Sequence, residues 1–183
     1  MIKGKYGYIK AKRNNLIKWL VIDVLFAIIL FVIGLFLNGF SKANVFTIFA
    51  MLFTIPGAKI VVSMVVIAPF KALDRESYSV LNKEVGDSKS VLYDLVLTSP
   101  EKIMYIESMC ITNEAYVILP NINKRLDREH MEKYIKKHMS NYGYEKNVVI
   151  VEDKKEYLDK VDINQLEVKE IDDIVKTLMI LQV

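Results

Sequence analysis

Two long apolar runs stand near the front of the chain, and behind them apolar and charged residues alternate at short periods. The runs are WLVIDVLFAIILFVIGLFLNGF and NVFTIFAMLFTIPGAKIVVSMVVIAPF, and between Trp19 and Phe70 the only charged residues are Asp23, Lys42 and Lys59. About 20 apolar residues as a helix cross a bilayer core. The pattern therefore predicts spans over about 19–38 and 45–69, joined by a short link around Asn38 to Asn44 into a helical hairpin. The first run exceeds the roughly 7–15 apolar residues of a signal peptide, and no small-residue cleavage site precedes the second, so retention as an anchor is expected.

After Pro69 the periods change. KALDRESYSVLNKEV spaces Leu73, Val80, Leu81 and Val85 among charges, which predicts a helix or an extension of the second span, broken at Gly86-Asp87-Ser88. VLYDLVLT, IMYIESMCIT and AYVILP read as three strands separated by turns at Ser99–Lys102 and Thr112–Glu114, an antiparallel meander. LDREHMEKYIKKHMSNYG predicts a helix capped by Asp127, with Met131, Ile135, His138, Met139 and Tyr142 on one face and Gly143 at its end. NVVIV is a short apolar run that suits a strand covered on both faces. Asp153 with Glu156, and Asn164 with Glu167, form capping boxes for two last helices. In the second of these, Leu166, Ile171, Ile174, Val175, Leu178 and Leu181 make a stripe read as packing surface. The fold class that follows is a two-helix transmembrane hairpin plus an α/β (αβββαβ-like) cytoplasmic domain. Its divisions are a basic segment 1–18, the hairpin 19–70 and the α/β domain 71–183.

Charge sets the orientation. Lys3, Lys5, Lys10, Lys12, Arg13 and Lys18 precede the first span with no acid among them, Lys71 and Arg75 follow the second, and the link holds only Lys42. Basic residues collect on the cytoplasmic side, so both termini are expected there, in a multi-pass protein of the plasma membrane. The basic segment, with Tyr6 and Tyr8 among its lysines, has the composition of a nucleic-acid arm. Contact with anionic lipid, worth about 1 kcal/mol per charge, is the preferred reading, because a net charge of +3 is too small to argue for nucleic acid.

A reversal near Ser41 puts Asp23 and Lys59 at equal distances from the turn, so an antiparallel pair would bring them to similar depth as an intramembrane charge pair. Each costs roughly 2.5–3.5 kcal/mol unpaired on insertion scales, although the long Lys59 stem also suits snorkelling. Pro56-Gly57 is expected to bend the second span. The Gly57-Ala58 step beside Lys59 would allow close helix approach, and with it homo-oligomerisation.

The segment DLVLTSPEKIMYIESM carries the one pattern that points to chemistry. Asp94 is followed by Ser99-Pro100 and, 13 positions after the aspartate, by Glu107, with Met109 two positions further. With the αβββαβ order, this resembles the core of PD-(D/E)XK, restriction-endonuclease-like, nucleases, particularly nuclease-related and Mrr-like domains, over residues 72–151. The resemblance implies that Asp94 and Glu107 would hold Mg²⁺ to polarise a phosphate and generate hydroxide. A lysine expected at position 109 would serve the attacking water and developing charge. Met109 cannot supply that charge, and Lys102 or Lys124 would have to substitute. The whole chain also resembles small two-span membrane proteins of Firmicutes.

Other constellations are absent from the sequence. His130 and His138 lie about 12 Å apart along one helix, without HExxH spacing. Cys110 is the single cysteine, so no intrachain disulfide forms and a core role is expected. There is no P-loop, no GxSxG elbow and no tetratricopeptide repeat. The expectation is a membrane-anchored cytoplasmic interaction domain, non-catalytic and with no cofactor, built on a degenerate nuclease fold. Its partners would be the bilayer and an unidentified protein or a second copy, with nucleic acid the less supported choice. The alternatives are a membrane-tethered metal-dependent nuclease using Asp94, Glu107 and Mg²⁺, and an accessory subunit of a membrane complex.

Overall fold

The protein, seen here as a computed structural model, is described over residues 3–86, 88–121, 127–161 and 170–182. It divides into two compact units, one of residues 10–69 and one that joins residues 1–9 to residues 70–183.

The first unit is a helix pair, α1 (Tyr8–Leu37) and α2 (Val45–Ile67). Both helices are long and apolar enough to cross a membrane. Their apolar residues are largely uncovered within the chain, with Phe36 69% and Met51 66% exposed. Helix α1 begins eleven positions before Trp19, because Tyr8 to Lys18 continue the helix as its polar first turns. Asn44 organises the reversal. Its side chain accepts from Thr47 N at 3.0 Å to cap α2, and donates to Ser41 O at 2.6 Å.

Glycines set how the two helices meet. A Cβ on Gly34 would stand 2.5 Å from Phe46 Cβ, and one on Gly57 would collide with Asp23 Oδ2. Between these two crossings Phe26 packs edge-on to Phe53 with centroids 4.8 Å apart. Helix α2 continues through Pro56.

The second unit is a three-layer α/β fold. Helix α3 (Arg75–Val85) precedes β1 (Val91–Thr98), β2 (Ile103–Ile111) and β3 (Ala115–Pro120). They are followed by α4 (Arg128–Ser140), β4 (Asn147–Ile150), α5 (Lys154–Lys160) and α6 (Ile171–Ile180). The sheet order is β1-β2-β3-β4, antiparallel at the first two junctions and parallel at the last. The meander arises from its turn chemistry: Ser99 N donates to Lys102 O and Thr112 N to Ala115 O, each at 2.9 Å. Helix α3 is separate from α2 and starts at Asp74, whose side chain accepts from Ser77 N at 2.8 Å.

One face of the sheet packs Leu92, Leu95, Ile106, Met109 and Ile118 against α4 and α6. The other packs Val91, Tyr93, Cys110, Val117 and Leu119 against α3 and α5. Strand β4 touches both cores but remains partly exposed, because it is an edge strand. The α5 cap differs from the expected box by one residue: Glu152 N, not Asp153 N, donates to Glu156 Oε2 at 3.2 Å. The cap at Asn164 and Glu167, and Leu166 of the stripe, lie outside the described residues. Helix α6 begins after Glu170, which adopts a left-handed φ of 62°.

Residues 3–7 pack within this unit, which changes the reading of the basic segment. Tyr93 N donates to Gly4 O at 2.8 Å, Tyr6 stacks on Tyr78 with centroids 3.9 Å apart, and Lys3 Nζ donates to Gln182 O at 2.6 Å.

Candidate functional site

Asp94 and Glu107 sit at matching irregularities of β1 and β2. Asp94 has a φ of 52°, a left-handed conformation that Asp tolerates better than most residues. The ladder passes from Tyr93↔Ser108 to Leu95↔Ile106 without pairing Asp94. The β2–β3 register slips between Ile106 and Ser108, which makes Glu107 the extra residue of a bulge. Leu92 with Leu95, and Ile106 with Met109, therefore share one core at a spacing of three. Each strand shifts its alternation at the same level, so the faces exchange while the β1–β2 register is kept.

The Asp94 carboxylate is completely buried. Oδ2 accepts from Gly7 N at 2.7 Å; Oδ1 accepts from Leu73 N at 2.8 Å and from Tyr105 Oη at 3.0 Å. Its backbone carbonyl accepts from Gln182 Nε2 at 3.3 Å. Burial raises its pKa and outweighs the three hydrogen bonds, which favour the ionised form. The charge also acts on Tyr105, whose phenol is pushed upward by burial first and by Asp94 second.

Glu107 is half-buried, and Asn121 Nδ2 donates to its Oε1 at 2.8 Å. Burial raises its pKa, the negative charges of Asp74 and Asp94 add to the rise, and Lys154 opposes it. Lys154 Nζ donates to Ser77 Oγ, beside the Asp74 cap. A polar cluster of Asp74, Ser77, Glu107, Asn121 and Lys154 thus lies toward α3 and α5. Lys154 is 47 positions from Glu107 and no motif spacing foretold it.

The lysine position of the nuclease pattern lies in the other layer. Met109 is fully buried in the core toward α4 and α6. The bulge at Glu107 causes this, since in a regular strand residues 107 and 109 would share a face. Of the two substitutes considered, Lys102 pairs with Asp127 and Lys124 lies outside the described residues. Among the described residues no group of three or more His, Cys, Asp or Glu side chains is arranged to hold a metal ion.

The helix pair places its charges differently from the expected pair. The Asp23 carboxylate rests against Gly57, Lys59 is exposed, and no ion pair joins them among the described residues. The crossing at Gly57 accounts for this. Lys59 lies two residues on, about 200° around α2 and about 3 Å along it, so its side chain leaves from another face.

The remaining residues of chemical interest have local roles. His130 Nε2 lies 3.0 Å from Ser99 Oγ and Nδ1 lies 3.5 Å from Glu101 Oε2. That row has the outline of a proton relay. The Ser99 hydroxyl, however, accepts from Lys102 N at 3.0 Å and donates to Lys102 O at 2.9 Å, so it closes the turn. His138 Nε2 is 3.3 Å from Thr177 O, which ties α4 to α6. Cys110 is buried and its thiol is pushed up to about 12. Comparison with known protein families, curated proteins and solved structures finds no match to the chain.

Proposed function

We propose that the chain is a membrane-anchored interaction domain, in which α1 and α2 form a two-span anchor and the α/β unit is a non-catalytic derivative of a nuclease-like αβββαβ core. Asp94 carries this reading. A metal-binding acid needs a carboxylate oxygen free for the ion, and both Asp94 oxygens are occupied by donors from Gly7, Leu73 and Tyr105 in a site closed to solvent. In the position of a catalytic acid it works as a clamp.

The anchor reading draws on two long apolar helices whose surfaces the chain leaves uncovered. Residues before α1 and after α2 belong to one folded unit, which favours both termini on one side of a bilayer. The basic residues around the spans favour the cytoplasmic side.

The test is the full chain in detergent, incubated with plasmid DNA, linear DNA and RNA in Mg²⁺ or Mn²⁺, beside Glu107→Gln. No metal-dependent cleavage is expected. Cleavage by the wild type that disappears in a Glu107→Gln variant melting no lower than the wild type would establish the nuclease alternative and overturn this reading.

A further inference from the structure

We infer that the helix pair is an association surface for a second copy of this chain, in which Asp23 of each copy meets Lys59 of the other. The inference rests on the membrane-anchor reading above and adds the partner.

Asp23 lies level with Gly57, and Gly57 is twelve residues beyond Val45 and ten before Ile67, the ends of α2. In its own helix Asp23 is four residues past Trp19, about 6 Å inside the first apolar run at about 1.5 Å per residue, so it lies within the span toward its Trp19 end. An aspartate there has less reach toward the aqueous boundary than a lysine and is costly when unpaired. Its own hairpin offers no cation, since Lys59 projects from another face of α2. Asp23 nevertheless remains reachable. It lines a groove of about 530 Å³ between the helices, with Ala27, Thr47, Ala50, Thr54 and Gly57 among the walls. Small side chains of this kind let a further helix approach closely.

Charge complementarity selects the occupant. Lys59 is the other charged residue within the two spans, is exposed, and lies about 3 Å from the level of Asp23. A two-fold axis along the bilayer normal leaves the depth of every residue unchanged, so it can bring Asp23 of one copy to Lys59 of the other and form two identical ion pairs. Neither charge then faces lipid alone.

The test uses full-length chains carrying two different tags, co-expressed in membranes and co-purified in mild detergent, with carbonate extraction run in parallel. Wild type is expected to co-purify with wild type. Asp23→Lys sets lysine against Lys59 in its own homodimer, and Lys59→Asp sets aspartate against Asp23, so neither variant is expected to recover itself. Asp23→Lys co-expressed with Lys59→Asp restores both opposite-charge contacts, and at least about tenfold more co-purification than either self-pairing is expected. Asp23→Asn and Lys59→Gln, which remove charge at nearly constant size, are expected to reduce self-association while resisting carbonate. Self-association of these variants equal to wild type, or failure of the mixed pair to exceed self-pairing in carbonate-resistant chains, overturns the inference alone. Release of the wild type by carbonate overturns the anchor reading and this inference with it.

Discussion

Gly7 N donates to Asp94 Oδ2 at 2.7 Å across 87 positions of sequence. Leu73 N occupies the other oxygen of the same carboxylate at 2.8 Å. Gly7 immediately precedes α1, and Leu73 follows α2 by six residues. One side chain in the sheet therefore holds the chain on either side of the helix pair.

Removing that carboxylate leaves two amides and a phenol without their acceptor, at about 1–3 kcal/mol for each buried group not rescued by water. Asp94→Ala is expected to cost roughly 3 kcal/mol or more. Its β-carbon also meets the left-handed φ without the polar side chain that helps Asp adopt it. Thermal or denaturant melting of the full chain in detergent is the measurement. Asp94→Ala melting within about 0.5 kcal/mol of wild type, the range of ordinary surface changes, would remove the clamp.

Glu107 gives a pH signature that separates a desolvated carboxyl from a metal ligand. Its folded pKa is raised above the unfolded value, chiefly by burial. The favourable contribution of its protonated form is complete below the unfolded pKa and is lost as pH rises through the folded one. Above that window the wild type holds a partly desolvated negative charge beside Asp74 and Asp94. Glu107→Gln keeps an oxygen that can accept from Asn121 Nδ2 while shedding the charge. The Gln variant is expected to melt at a higher temperature than wild type at pH 7–8, with the advantage shrinking as pH falls into the carboxylate range. An advantage that grows on acidification would contradict the assignment.

Placing a lysine at position 109 should harm the fold without creating activity. Met109 is fully exposure-free, inside the apolar core toward α4 and α6, and a lysine there must bury an ammonium with no acid in that cluster. The cost is several kcal/mol, or deprotonation of the amine. Met109→Leu, close in volume, should cost less than about 1.5 kcal/mol. Melting temperatures of the two variants make the comparison. Metal-dependent cleavage gained by Met109→Lys would mean that position 109 reaches Glu107 after all.

What was legible in the sequence was local. The strands of the meander are bounded by Ser99, Lys102, Thr112 and Ala115, whose side chains or amides close the turns within three residues. Caps at Asp127 and Asp153 likewise accept from amides one to three residues ahead. Three features depended on distant partners and left no local trace. β1 is apolar on both faces, so nothing in VLYDLVLT marks the reversal of alternation at Asp94. The packing of Lys3, Gly4, Tyr6 and Gly7 into the α/β unit left no mark, because their partners Gln182, Tyr93, Tyr78 and Asp94 are at least 72 positions away. The charge pair in the helix hairpin was not foreseen correctly because equal distance from the turn fixes depth but not the face from which a side chain leaves. The Gly57 contact with Asp23 decides which face of α2 is turned inward.

The division of the chain makes a last prediction about which pieces fold. Residues 70–183 alone lack Lys3, Gly4, Tyr6 and Gly7, which serve Gln182 O, Tyr93 N, the Tyr78 ring and Asp94 Oδ2. Each loss of a buried hydrogen bond costs about 0.5–1.5 kcal/mol net, and more for the one to a charged carboxylate. Against a typical domain stability of about 5–15 kcal/mol, that is a large share. Replacing residues 10–69 by a flexible Gly/Ser linker, so that residues 1–9 remain tethered to residues 70–183, should give a water-soluble domain with a cooperative melt. The untethered 70–183 piece should melt at a markedly lower temperature and bind a hydrophobic dye, and adding a Gly7→Pro change, which deletes the donor to Asp94, should lower the tethered domain toward it. Equal melting of the tethered and untethered pieces would mean that the N-terminal segment decorates the domain and that the clamp on Asp94 is not needed for its fold.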